Sequence, residues 1–398
     1  MSQEQELRDR MDTLDVPPSR LDMESLLRDG RKRVTRRRTL RTVAGAVVAV
    51  AAMLVVPAVV VKQRAAGPVP GTVVPGRPSV GPTHTTTTCA IRTLPVPAGL
   101  KDVGVTAIDP TGRYIVGNGS VGQNFRPVLW TDGKARALPV IAKSVQLTGV
   151  NSAGVVVGLA EDGPQTEYAF RYQNGVYTQL KPPAGDWHIY PEPSINAAGD
   201  IVINVEPDGN TGGKDSFAII WKNGATTATK LPLPAGANLN DITDDGTLIG
   251  SIYRNGAAQA GYAWTQSGKG RKLTVPPGQE AAAYAGRGDW ATGGVWPDEK
   301  PALWNTRTGK VVVLDTPKGA VTAPALKGLG PGEAVNAQGW VVAGGYVVRD
   351  GDPVVLAAPE GQQAMATAIA DNGLVAGALD GKNADGSYRT IGPRTWQC

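Results

Sequence analysis

Apolar and polar positions repeat down the C-terminal three quarters of the chain. An apolar residue, three mostly small or polar residues and a Gly precede a short apolar run that ends near a second Gly. The clearest copy is Val150-Asn151-Ser152-Ala153-Gly154-Val155-Val156-Val157-Gly158. The signature recurs at Ile108–Gly112, Ile195–Gly199, Ile242–Gly246, Tyr284–Gly288, Val335–Gly339 and Ile369–Gly373, at spacings of roughly 35 to 50 residues. Each copy predicts a strand a ending at the apolar residue, then a tight turn in which Gly takes positive φ. Strand b is the apolar run, as in Ile201-Val202-Ile203. A run without polar alternation suits a strand covered on both faces. Strand c carries an aromatic: Trp130, Tyr172, Trp221, Trp264, Trp304 or Trp396. The dipeptides Asp132-Gly133, Asn174-Gly175, Asn223-Gly224 and Asp350-Gly351 then predict two-residue hairpins. Strand d follows, with Leu138, Leu180, Leu231, Leu273, Leu314 or Leu356.

Seven such units, each a four-stranded sheet covered by a neighbour on either side, predict an all-β, seven-bladed β-propeller over residues 89–398. The copies start out of phase. Residues 89–97 read as a lone strand d, and Ile369 to Cys398 supplies only strands a, b and c. The two ends therefore complete one blade by pairing N- and C-terminal strands. Register places Cys89 and Cys398 at the two hairpin-tip positions of that blade, where the peptide link is missing. They are the only two cysteines, so a disulfide is expected to replace the link.

The pattern resembles the HAF repeat family, named for a His-Ala-Phe core. The matching triplets are Tyr168-Ala169-Phe170, Phe217-Ala218-Ile219 and Tyr262-Ala263-Trp264, and each lacks the His. The resemblance implies an extracellular propeller and no defined activity.

The N-terminal quarter changes the picture of where this domain sits. Residues 1–41 form a polar tail with 11 Lys+Arg and 8 Asp+Glu, whose Asp22–Asp29 stretch is a short amphipathic helix candidate within a disordered segment. The tail ends in a basic block from Arg31 to Arg41. Residues 42–61 carry no charge and are long enough to span a bilayer as one helix. The basic block before them predicts a cytoplasmic N-terminus. Residues 62–88 are a Pro-, Gly- and Thr-rich linker. The expected placement is a single-pass cell-membrane protein, anchored in the lipid bilayer through 42–61, with its C-terminal domain outside. Ala, Gly, Val and Arg usage suggests a bacterium with a GC-rich genome. Beyond the tail, 29 Lys+Arg face 27 Asp+Glu. That balance argues against a nucleic-acid partner, which needs a basic face.

Candidate chemistry is sparse. Gly117–Gly122 spells a dinucleotide fingerprint, but a strand follows where a helix is required. No nucleophile elbow occurs, and two His residues exclude a His-rich metal site. Asp241, Asp244 and Asp245 lack calcium-loop spacing and read as turn residues. The expectation is therefore no catalytic residue, no cofactor and no metal. Asp186, Trp187, His188, Tyr190 and Glu192 are expected on the connection from strand d to strand a of the next blade. Asp208 and Asp215 are expected on the neighbouring connection between strands b and c, which runs from Glu206 to Asp215. Together they form a candidate site for a sugar or peptide. Three functions follow: an extracellular binding module for a surface glycan or protein, a transmembrane signalling protein whose tail engages a cytosolic regulator, or a glycan-active enzyme using funnel carboxylates.

Overall fold

The computed structural model describes residues 89–398 apart from 164–165, 209–214, 255–256, 315–329 and 384–386. The tail, the 42–61 span and the linker lie outside the described residues. Among the described residues no helix is long and apolar enough to cross a membrane.

Among the described residues, twenty-eight strands form seven four-stranded antiparallel sheets. Strands β2 (Lys101–Ile108) to β5 (Lys134–Ala137) make blade 1, and β6 (Ser144–Val150) to β9 (Val176–Leu180) make blade 2. Blade 3 runs from β10 (Trp187–Ile195) through β11 (Ile201–Pro207) and β12 (Phe217–Trp221) to β13 (Thr229–Lys230). Blade 4 spans β14 (Ala237–Ile242) to β17 (Gly270–Lys272), blade 5 β18 (Glu280–Arg287) to β21 (Val311–Val313), and blade 6 β22 (Ala334–Val335) to β25 (Asp352–Val355). Blade 7 combines β26 (Gln362–Ile369), β27 (Leu374–Lys382) and β28 (Tyr388–Gln397) with β1 (Ala90–Thr93) from the other end of the sequence. In that closure Ala90 faces Gln397 and Thr93 faces Arg394. Cys89 and Cys398 are disulfide-bonded, with Cα atoms 4.6 Å apart.

The core is seven apolar clusters, one at each blade interface. This explains the unbroken apolar runs. Val156 packs in the cluster shared with blade 1, and its neighbour Val157 packs in the one shared with blade 3. Leu248 and Ile249 divide in the same way between the interfaces of blade 4. Successive side chains point to opposite faces, so a strand with an apolar cluster on each side cannot alternate with polar residues.

Both glycines of the signature have a steric reason. Gly154 takes φ +73°, and its counterparts in the other a–b turns are also left-handed. The second Gly lies opposite a β-bulge in strand a. At Gly158 an added Cβ would come 1.9 Å from the Gln146 carbonyl oxygen, and Gly250 and Gly293 meet the same obstruction. Blade 3 has Ile203 at this position, and β10 detours widely between Tyr190 and Ser194.

Strand-c tryptophans staple neighbouring blades. The indole N–H of Trp221 donates to Lys181 O at 2.8 Å, that of Trp304 to Thr274 O at 2.7 Å and that of Trp396 to Ala357 O at 2.8 Å. Each acceptor directly follows the strand-d leucine of the preceding blade. Trp221→Phe should therefore lower stability by about 1–2 kcal/mol, as a shift of the urea midpoint with an unchanged m value. An unchanged midpoint would mean that the indole nitrogen contributes nothing to the ring.

Polar side chains stitch the inner wall. Asn204, on β11, donates from Nδ2 to Leu239 O and accepts from Leu239 N–H, both at 2.8 Å. Asn118 makes the same pair with Leu147 in the next blade. In the turns, Asn151 Oδ1 accepts from its own Ala153 and Val155 N–H groups, while its Nδ2 donates to Asn196 O in the following blade. Asn suits this position because one amide can cap a turn and still donate across a gap.

Three expectations are corrected. Tyr284 does not end strand a: β18 continues to Arg287, and Tyr284 is the bulged residue between Ala283 and Ala285. Trp187 to Glu192 belong to strand a rather than to the connection before it. Pro191 and Pro193 both fall within the wide detour of β10, where the ladder needs no donor. Lastly, Asn223 is not left-handed although Gly224 is, unlike Asn174-Gly175, where both residues have positive φ.

Candidate functional site

The candidate residues divide among four places. Trp187 and Ile189 share one face of β10, and His188 and Tyr190 share the other, as the period of two requires. Trp187 packs edge-on against Phe217 at 5.0 Å, and its indole N–H donates to Ala184 O at 3.2 Å. It borders the apolar cluster between blades 2 and 3. Most of its ring thus serves packing.

His188 and Tyr190 stand at the rim with parallel rings whose centroids are 6.2 Å apart. His188 pairs across the sheet with Glu206, which is 6% exposed. His188 Nδ1 lies 3.8 Å from Glu167 Oε2, at the end of a blade-2 connection. Burial pushes the Tyr190 phenol up, and hydrogen bonds with Ser216 and Asn238 pull only partly the other way. The phenol therefore stays protonated near neutrality and acts as a neutral polar group. An imidazole, a phenol and two carboxylates converge here.

Asp186 and Asp208 are exposed at the outer end of the β10–β11 pair, where Asp208 N–H donates to Asp186 O at 3.1 Å. Asp215 is exposed beyond the undescribed residues 209–214, with φ +56°. Glu192 leaves the group. The detour of β10 carries it to the central channel beside Ser194 and Asp241.

Glu167 and Ser216 join the site without having been singled out in the sequence, and Glu206, expected as the first residue of the b–c connection, lies within β11. The signal for Glu206 was its place at the end of strand b, opposite the start of strand a. Its facing of His188 required the register of two strands more than ten residues apart.

The channel itself is narrow, with a free volume of about 130 Å³, against roughly 300 Å³ or more for an ordinary small-molecule site. On the side of the a–b turns, Arg287 from blade 5 crosses it. Arg287 Nη2 lies 2.7 Å from Asp371 Oδ2 in blade 7, Nε also donates to Asp371, and Nη1 pairs with Asp244 in blade 4. Burial alone would lower the guanidinium pKa, but the hydrogen bonds and charges of Asp371 and Asp244 outweigh it and raise it. Asp241 accepts from Ser194 Oγ and from Gly286 N–H at 2.9 Å. These three carboxylates are engaged in holding blades together. Among the described residues no three His, Cys, Asp or Glu side chains are grouped to hold a metal ion.

Several solved structures share the propeller fold at low identity. An oligogalacturonate lyase in complex with manganese is 10% identical, covering 78% of this chain and 96% of its own, with a TM-score of 0.49. The WD40 repeats of RRP9 are 9% identical over 78% of this chain and 99% of theirs, with a TM-score of 0.46. The propeller domain of the trilobed protease from Pyrococcus furiosus is 11% identical over 74% and 79%, with a TM-score of 0.38. No protein-family profile matches the chain, and no curated protein does. The likeness to HAF repeats therefore rests on the repeat pattern and the three quoted triplets.

Proposed function

We propose that the chain is a membrane-anchored binding module whose propeller is displayed outside the cell and takes a glycan or peptide at the rim of blade 3. The observation that carries this is the group formed by His188, Tyr190, Glu167 and the buried Glu206. Buried polar side chains at a rim cost stability unless they pair. A ligand offering hydroxyl or amide groups would add partners there. Strands β10 and β11 hold His188, Tyr190 and Glu206, which keeps that part of the site preorganised. Asp186, Asp208 and Asp215 form the outer edge of the same surface. The uncharged span at 42–61 and the basic block before it support the anchor and a cytoplasmic tail.

The test is a screen of surface polysaccharides and peptides against the purified protein, followed by His188→Ala and Trp187→Ala. His188→Ala should lose ligand binding by at least about tenfold, roughly 1.4 kcal/mol, with little change in melting temperature. Trp187→Ala should instead lower the melting temperature, because its ring packs on Phe217 and the blade 2–3 core. Full binding by His188→Ala would place the ligand elsewhere.

A further inference from the structure

Glu167 and His188 meet across the gap between blades 2 and 3. Glu167 directly precedes β8 (Tyr168–Gln173) of blade 2, and His188 is the second residue of β10 in blade 3. His188 Nδ1 lies 3.8 Å from Glu167 Oε2, too far for a hydrogen bond. That oxygen is closed to solvent, and among the described residues no donor reaches it. A carboxylate oxygen shut off from water and from donors is destabilising, and a fold that keeps one calls for a reason. Both side chains keep part of their surface in solvent, 31% for His188 and 22% for Glu167, so each has room to turn.

The groups around the imidazole are acidic or neutral. Across the sheet its register partner is the buried Glu206. Along β10 the Tyr190 ring lies parallel to it, with a phenol that burial keeps protonated and uncharged. On the blade 2 side, burial and then the charge of Asp162 push up the phenol of Tyr168, the neighbour of Glu167. No Lys or Arg pairs with Glu167 among the described residues.

Imidazole is the side chain whose charge ordinarily changes between about pH 5 and 8. Its neutral form has one N–H, whereas the protonated form has one at each nitrogen. Protonation therefore puts a donor at Nδ1 and a positive charge beside two carboxylates. A charge-assisted bond between nitrogen and oxygen is about 2.8 Å long, so the gap has to close by roughly 1 Å.

We infer that Glu167 and His188 form an acid-closed latch between blades 2 and 3, in which the protonated imidazole bonds Glu167 Oε2 and draws the start of β8 onto β10. The same bond takes both groups away from a ligand, so acid releases one held at this rim. That consequence rests on the rim being the binding site; the latch itself does not. A histidine that gains a partner on protonation contributes stability that is complete at low pH and fades as pH rises.

The test is a double-mutant cycle on the full-length chain with Glu167→Gln and His188→Asn, melted at about pH 5.5 and about pH 8.5. At the acid pH each single variant should melt about 1–2 °C below the wild type, and the double variant no lower than either. At the alkaline pH the coupling should vanish. In the wild type, the carboxyl carbon resonance of Glu167 should move over the same pH interval as the His188 ring, which gives a readout even if a variant fails to fold. Coupling of equal size at both pH values, coupling only at the alkaline one, no coupling at either, or a Glu167 resonance indifferent to the His188 titration would overturn the inference. If the coupling is found while the ligand binds elsewhere, the latch stands and only its effect on release falls.

Discussion

Reducing the Cys89–Cys398 disulfide should lower the melting temperature by roughly 10 °C. The bond closes a loop over a sequence separation of 309 residues, and the chain-entropy relation gives roughly 5–6 kcal/mol for such a loop. A chain of this length shifts by about 2 °C per kcal/mol. The effect acts mostly on the unfolded chain, so the reduced protein should keep its far-ultraviolet spectrum at 25 °C. Cys89→Ser/Cys398→Ser should match the reduced wild type and show no response to reductant. Equal melting of oxidised and reduced protein would mean that β1 and β28 hold the ring closed without covalent help. The pairing of Ala90–Thr93 with Arg394–Gln397 offers only four residues a side, and a ribbon that short is a weak closure.

Arg287→Ala should cost about 2–3 kcal/mol, the second largest effect. Removing one partner of a fully buried ion pair costs roughly 3–5 kcal/mol because the other charge is left uncompensated. Here the Arg287 side chain is 20% exposed, so water compensates part of that loss. Arg287→Lys should recover less than half, since an ammonium cannot bind Asp371 as a fork while reaching Asp244. The pH dependence has a definite sign. The folded pKa of Arg287 lies above its unfolded value, so its contribution is complete below the unfolded pKa and fades only at extreme alkalinity. The deficit should therefore be flat between about pH 6 and 9. Hydrogen exchange gives a local readout. Ala197 N–H donates to Asp244 Oδ1 at 2.8 Å, and Ala337 N–H to Asp371 Oδ1 at 2.9 Å. Both amides should exchange faster in the variant. Unchanged exchange at both would show that the two carboxylates hold their places without the arginine.

Most of the ring was legible because its determinants are local. A Gly forced to positive φ, an apolar run and a strand-c aromatic lie within about thirty residues of one another, so their order reads directly along the chain. The closure was legible for a related reason: the phase mismatch of the two ends shows which strand each lacks. Two of the three misreadings occur where strand a is irregular. A bulge adds a residue without changing the composition of the run, so Tyr284 looked like the strand end and Arg287 like a turn residue. In β10 the strand starts at Trp187, well ahead of the Ile195 that the repeat signature marks, and only its register with β11 reveals that start. The chord from Arg287 to Asp244 and Asp371 links residues 43 and 84 positions apart, and nothing local marks it. The cross-blade work of Asn151 and Asn204 escaped notice for the same reason, because Asn at a turn or strand end has an adequate local explanation.

The position of the disulfide also decides how the domain would bear a load. A pull on the chain ahead of residue 89 arrives at Cys89 before it reaches Ala90. Without the sulfur bridge, tension would peel β1 from β28 one backbone pair at a time, beginning at Ala90 and Gln397. With it, tension passes covalently to Cys398 and into β28, a strand flanked by partners on both sides. The weakest seam of the ring is thus bypassed, and rupture has to begin in a strand paired along both edges.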